Sequence, residues 1–229
     1  MICALLPVKA PGDAKQRLKG SLSPSQREAL ARLMFQEVFS TLCTVRGLDR
    51  IIVATSDQAV ADHASHSGAT VFVEHEQRGH SHSADAATRR AMSLGAATVL
   101  LLPIDVPLVT KAEIESLTEA TEQSLDRGVI PASGVIIVPS SDGTGTNALV
   151  RTPPDAIASC FGPGSFRAHL DQARQRGVPV KVLRPAGLLF DIDTPEDIDE
   201  LLRRAPDSRI AQWLGTQLGN QNGHPYRRT

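Results

Sequence analysis

Aromatic residues are scarce, with six Phe, one Trp and one Tyr making up 3% of 229 residues. That leaves no stacking platform of the kind single-strand nucleic-acid binders use, and it requires an aliphatic core. An excess of one charge is missing too, since 24 Lys+Arg face 25 Asp+Glu and the net charge is −1. No overall field is available to grip a nucleic-acid backbone or an anionic membrane, so neither is expected as a partner. No apolar run approaches the ~20 residues of a membrane span. The opening MICALLPVKAPGD has neither a basic n-region nor a small-residue cleavage site, so a soluble, cytoplasmic protein is expected. The three cysteines, Cys3, Cys43 and Cys160, form no C-x-x-C pair and read as reduced core thiols. His75, His80 and His82 lack the spacing and acidic partners of a metal site and read as part of a polar loop.

What is present is alternation. Short apolar runs read as strands at Ile2–Val8, Ile51–Ala54, Thr70–Val73, Thr98–Leu102, Val135–Val138, Ala148–Val150 and Val180–Leu183, with a short one at Leu188–Phe190. Amphipathic stretches between them read as helices over Pro24–Cys43, Gln58–His66, Ala84–Leu94, Lys111–Ser124, Ser165–Gln175 and Pro195–Arg203. The pattern predicts an α/β fold: a mostly parallel central sheet with helices on both faces, in one domain over residues 1–204. A further helix within Ala205–Leu218 and a polar, fraying tail to Thr229 are expected to follow. Ser23 before Pro24, and Thr194 before Pro195 with Asp197, read as helix caps.

In open α/β sheets ligands bind beyond the carboxyl ends of the strands, so the residues that follow each strand carry the chemistry. After the first strand, PVKAPGDAKQRL holds Lys9, Lys15 and Arg17. Three of the five lysines in the chain lie between positions 9 and 19. Concentrated flexible cations on a Gly/Pro-punctuated loop suit a polyphosphate, although the Walker pattern is absent and a solvated basic loop would look the same. In LPIDVPL, Asp105 emerges from a buried strand between two prolines and needs a cation or a set of donors to meet it. In DIDTPED, Asp191 and Asp193 precede the cap and are left over by it; a second carboxylate at a strand end is what Mg²⁺ would want opposite Asp105. DGTGTN, with Thr146, and FGPGSF, with Gly162 and Ser165, are small-residue loops. The latter opens a helix whose free N–H groups can bind an anion, with Gly162 keeping a side chain out of the way. Together these features suit nucleotidyl transfer, in which two anionic reactants are positioned and neutralised around Mg²⁺.

From about residue 2 to 204 the chain resembles the 2-phospho-L-lactate/phosphoenolpyruvate guanylyltransferases of coenzyme F420 biosynthesis, a branch of the nucleotidyltransferases with a GT-A-like fold. The resemblance rests on PVKAPGDAKQRL, SLSPSQREALARLM, LPIDVPL, DGTGTNAL, FGPGSFRAHL and DIDTPEDI, in that order. It implies transfer of GMP from GTP to the phosphate of a three-carbon phospho-acid with release of pyrophosphate. Phosphoenolpyruvate, 2-phospho-L-lactate and 3-phosphoglycerate all remain open as that acid. Carried over by motif, Lys9, Lys15 and Arg17 would hold the GTP phosphates, with Lys15 and Asp105 catalytic. Asp105, Asp191 and Asp193 would hold Mg²⁺, and Thr146, Gly162 and Ser165 would receive the acceptor. A homodimer and hand-over of product to the next pathway enzyme are further expectations. Where the family carries Gly-Leu-Asn before an Ala-rich helix, this chain has Gly79-His80-Ser81-His82-Ser83. Two rivals stay open here. Another nucleotidyltransferase of the same fold, of the molybdenum-cofactor or sugar-acid cytidylyltransferase type, would open with a Gly-rich G-x-G-x-R loop, whereas a non-catalytic nucleotide-binding regulator could dispense with the carboxylates.

Overall fold

The computed structural model describes residues 1–10, 12, 14–74, 79–126 and 133–222. His75 and the tail beyond Asn222 lie outside the described residues. The apolar runs form β1 (Ile2–Val8), β2 (Arg50–Thr55), β3 (Thr70–Val73), β4 (Thr98–Leu101), β5 (Gly134–Pro139), β6 (Thr146–Thr152) and β7 (Val180–Val182). They make one sheet in the order β3-β2-β1-β4-β6-β5-β7. β1 pairs in parallel with β2 and β4, β2 with β3, and β5 with β7, while β6 runs antiparallel to both β4 and β5. The sheet is therefore mostly parallel with one reversed strand, and the 140–145 turn that leads into β6 is a hairpin connection. Leu101 pairs with Leu149, so the start of β6 comes to the same edge of the sheet as the carboxyl ends of β1 and β4.

Eight helices flank the sheet among the described residues: α1 (Pro24–Thr44), α2 (Gln58–His66), α3 (His80–Ser93), α4 (Lys111–Asp126), α5 (Ser165–Gln175), α6 (Ala186–Leu189), α7 (Pro195–Arg204) and α8 (Arg209–Asn222). Side chains alternate across each strand, so Ala4, Leu6 and Val8 pack on Phe35, Val38 and Leu42 of α1, whereas Cys3 and Leu5 face Ala84, Ala87 and Ala91 of α3. A third cluster joins Leu30 and Met34 of α1 to Ile198, Leu201, Ile210 and Leu214, which seats α7 and α8 on the same helix. The apolar stripe along α1, Leu30, Leu33, Met34, Val38 and Leu42, is buried in full. Ser23 and Thr194 both close reciprocal capping boxes, with Gln26 and Asp197 respectively. No helix among the described residues is long and apolar enough to cross a membrane.

Several expectations are corrected. Leu188–Phe190 is not a strand; Ala186–Leu189 forms a helical turn, because the Gly187 N–H donates to Glu113 and β7 has already left the sheet at Val182. α3 starts four residues before the expected Ala84. Gly79 at φ 109 turns the chain and accepts from the Ser83 N–H, so His80 and His82 sit in a helical first turn rather than a loop. Among the thiols only Cys3 is a core residue: Cys43 is exposed at the end of α1, off its apolar stripe, and Cys160 is half-buried.

Candidate active site

Lys15 is the centre of the first half of the site. The loop after β1 turns at this residue, which takes a left-handed backbone (φ 53), the one positive φ of a non-glycine residue among those described. A short 3-10 turn over Gln16–Leu18 follows and anchors Leu18 in the core. The turn sends the Lys15 side chain inward, where it is 6% exposed. Its Nζ donates to Asp105 Oδ2 at 3.3 Å, to the Ile192 carbonyl at 2.6 Å and to Asp193 Oδ1 at 2.9 Å. Burial works against the ammonium charge, but Asp105 and Asp193 outweigh it and hold the Lys15 pKa above its ordinary value. Arg17, largely exposed, reaches the other oxygen of Asp193 at 3.6 Å. The Ile192 N–H donates to the backbone carbonyl of Asp105, tying the two carboxylate loops together.

Asp191 stands beside this pair without joining it. Its Oδ1 accepts from Asn147 Nδ2 at 3.1 Å, and the same amide donates to the carbonyls of Leu188 and Leu189. Burial pushes the Asp191 carboxyl up to about 6; the Asn147 hydrogen bond opposes this, and the charges of Asp105, Asp193 and Asp197 add to it. α6 thus has a task that the expected strand would not have performed, since its last carbonyls hold the amide that orients Asp191. A Cβ at Gly187 would collide with the Leu108 backbone and with Glu113, so only glycine lets α6 lie this close to the loop after Asp105.

The second half of the site lies on the other face of the sheet. The Thr146 side chain is buried against His169, whose Nε2 accepts from the Cys160 N–H at 2.9 Å. This leaves the proton on Nδ1, which donates to Thr146 Oγ1 at 3.0 Å. The Ser165 hydroxyl donates to the same Thr146 oxygen at 3.2 Å. Burial, with help from Arg151 and against Asp85, pushes the His169 pKa down to about 4, so the ring is neutral. The segment that leads into Gly162 is strung on side chains: the N–H groups of Ala158, Ser159, Cys160 and Phe161 donate in turn to Gln172, Asp85, His169 and Ser81. Gly162 and Gly164 take φ 127 and 73. A Cβ on Gly162 would meet no protein atom within 4 Å, so what the fold itself requires of glycine here is the backbone angle. In the preceding turn, Asp142 accepts from the Ser140 hydroxyl and from the N–H and hydroxyl of Thr144, which together hold its pKa down at about 2.

Lys15, Asp105 and Asp193 come together, with Arg17 at their edge and Asp191 beside them; Thr146 and Ser165 come together on His169. Lys9 is exposed after β1; burial holds the His80 pKa down at about 4, with Asp105 opposing and the Lys9 charge adding a smaller push in the same direction. The His80 ring stands perpendicular to Phe161 at 4.8 Å, so the first turn of α3 meets the loop before Gly162. Asn147, His169, Ser81 and Gly187 all belong to the quoted motifs or their surroundings and escaped notice as individual residues. A polar residue at the start of an otherwise apolar strand was the available signal for Asn147.

Asp105, Asp193 and the Ile192 carbonyl form an oxygen-only nest around a cation, and that cation is the protein's own ammonium. Among the described residues no set of three or more His, Cys, Asp or Glu gathers to hold a metal ion. Mg²⁺ is commonly held by one or two carboxylates, with water and substrate phosphates completing its shell, so the donor chemistry fits that ion without a protein cage.

The chain matches the family model described as guanylyl transferase CofC like over residues 2–219. It is 37% identical to a phosphoenolpyruvate guanylyltransferase of Sphaerobacter thermophilus over 93% of this chain and 98% of that one. It is 32% identical to a 2-phospho-L-lactate guanylyltransferase of Methanothermobacter thermautotrophicus, covering 93% and 89%. The 3-phospho-D-glycerate guanylyltransferase of Colwellia psychrerythraea is also 32% identical, with 86% and 89% covered. Among solved structures, a nucleotidyl transferase from Methanothermobacter superposes with a TM-score of 0.60 at 18% identity over 89% of this chain and 98% of that one, a likeness of fold. With a family model that spans all seven strands and relatives matched over nearly their whole length, the chain belongs to the CofC-like guanylyl transferases.

Proposed function

We propose that this protein transfers GMP from GTP to the phosphate of a three-carbon phospho-acid, releasing pyrophosphate, as a step of coenzyme F420 biosynthesis. The observation that carries the reading is the buried Lys15 ammonium shared between Asp105 and Asp193, at the edge of the sheet where the loop after β1 meets the carboxylate loops. An acceptor phosphate oxygen attacks the α-phosphorus of GTP in line, a P–O bond forms, and the bond to the departing pyrophosphate breaks. Both partners are anionic, so the main work is neutralisation and alignment, and no protein nucleophile is needed. Lys15 and Arg17, with Lys9 at the mouth of the loop, supply positive charge to the triphosphate. Asp105 and Asp193, with Asp191 oriented beside them by Asn147, are the residues that would hold Mg²⁺, and Lys15 would then be free to turn toward phosphate. The ion supplies charge neutralisation on the phosphates when bound. The Ser165 and Phe166 N–H groups at the start of α5 are not free as expected, since they donate to the carbonyls of Gly162 and Thr144. The acceptor's carboxylate is therefore received by the remaining N–H groups of the Gly162–Ser165 turn, which the Thr146–Ser165–His169 chain holds in place.

The acceptor set follows the names of the relatives: phosphoenolpyruvate, 2-phospho-L-lactate and 3-phospho-D-glycerate. The test incubates the protein with Mg²⁺, each of the four nucleoside triphosphates and each of these acids, and follows pyrophosphate. Release that depends on GTP, on one acid and on Mg²⁺ is the expected result. Release with CTP and none of these acids would replace this reading with a cytidylyltransferase.

A further inference from the structure

Toward the opposite end of the sheet, a cleft of about 330 Å³ lies between α3 and the segment after Pro153. Its lining includes Arg89, Arg151, Arg176, Asp85, Asp155 and Met92. Arg151 pairs in register with Val99 near the start of β4, which separates the cleft from the Asp105 edge by the length of that strand. Arg151 is 1% exposed, so its permanent charge sits in the core. Nη1 donates to the Ile157 carbonyl at 2.6 Å and Nη2 to the Thr88 hydroxyl at 2.5 Å. The nearest carboxylate, Asp85, is 3.6 Å away and also accepts from the Ser159 N–H. Nε of Arg151 is buried with no partner. An arginine this deeply buried ordinarily has its donors matched and its charge neutralised. Here three guanidinium groups face two carboxylates around an open cavity, and one buried donor is unmatched.

We propose that this cleft binds a small oxyanion, a carboxylate or phosphate monoester of metabolite size, against the buried guanidinium of Arg151 and the exposed guanidinium of Arg89. Such an anion balances the excess positive charge beside Arg151. The volume is at the small end of ligand cavities, and Asp85 and Asp155 repel a highly charged polyphosphate, so the site selects a small anion over a nucleoside triphosphate. The occupant is held apart from any ligand of Lys15 and Asp105. Asp85 connects the cleft to the strung segment before Gly162, because it serves both Arg151 and the Ser159 N–H.

The test titrates the full-length protein with inorganic phosphate, and in a second arm with acetate, at constant ionic strength while recording the arginine Nε–H resonances by NMR. A saturable shift of one buried Nε–H is expected, with its assignment given by Arg151→Lys. Arg89→Glu, at the exposed rim, should weaken the midpoint by about tenfold or more, on the scale of one charge-assisted hydrogen bond. Lys15→Ala should leave that midpoint unchanged. Phosphate but not acetate as the effective probe would assign the monoester, and the converse the carboxylate. The proposal is overturned if no saturable shift occurs over the millimolar range, if Arg89→Glu leaves the midpoint where it was, or if Lys15→Ala abolishes the shift.

Discussion

Thr146 and Asn147 are neighbours in β6, yet the pleat sends their side chains to opposite faces of the sheet and into opposite kinds of chemistry. Asn147 faces the charged half of the site, where Lys15, Asp105, Asp191 and Asp193 hold one another in unstable surplus. Two carboxylates share one buried ammonium, and a third beside them, Asp191, is pushed up to about 6. Thr146 faces a neutral half, in which Ser165, His169 and a run of backbone N–H groups are already satisfied. The charged half is a place where an arriving cation or phosphate changes who pairs with whom. The neutral half is a rigid support, and what it has left to offer a ligand is the backbone of the turn it holds.

That contrast can be broken most decisively at Asp105. Asp105→Asn keeps the shape and removes the charge, and turnover should fall by ~10² or more while the melting temperature is kept. Full Mg²⁺-dependent turnover in this variant would make Asp105 a turn residue and leave the charged half without a function. Lys15→Ala should come next, lowering turnover by about tenfold or more, since two partly buried carboxylates lose their common partner. Lys111→Ala is the control, because its surface pair with Glu115 is worth only ~0–1 kcal/mol. Equal losses from the two lysine variants would reduce the first loop to an ordinary basic loop.

Gly187→Ala should cost about 1–3 kcal/mol by overpacking α6 against Leu108, and should impair turnover through the displaced Asn147–Asp191 contact. Chemical denaturation with parallel kinetics separates the two effects, and an unchanged stability would show that the loop after Asp105 yields freely.

The smallest effect sharpens the neutral half. The folded pKa of His169, about 4, lies below the ordinary 6.5. Between those values the unfolded chain binds a proton that the folded one refuses, so stability is complete above pH 6.5 and is lost as the pH falls toward 4. At pH 5 the loss from this residue is roughly 2 kcal/mol. The stability advantage of wild type over His169→Gln should therefore shrink by about that amount between pH 7 and pH 5. A constant difference would mean that His169 is solvated enough to titrate normally.

Much of this was legible in the chain itself, because it depends on neighbours a few residues apart. Ser23 with Gln26, Thr194 with Asp197, the stripe along α1 and the apolar runs of β1 and β4 are local patterns, and their periodicity and capping chemistry dictate helix and strand directly. The ordered motifs also carried the family and singled out Lys15, Asp105 and Asp193, although Asp193 follows the helical turn α6 and not the expected strand. Tertiary structure alone decided what those residues do to one another. Lys15 meets Asp193 across 178 positions and Asn147 meets Asp191 across 44, and no local pattern encodes which donor reaches which acceptor. The same reason accounts for Leu188–Phe190, an apolar run too short to declare its period, which became a helical turn because Glu113 and Asn147 accept and donate where a strand would have had no partners. Residue types and spacing determined the elements and the charges that end them; burial, which brings distant charges together and removes the water between them, determined which became a pair, which was left surplus, and which was silenced.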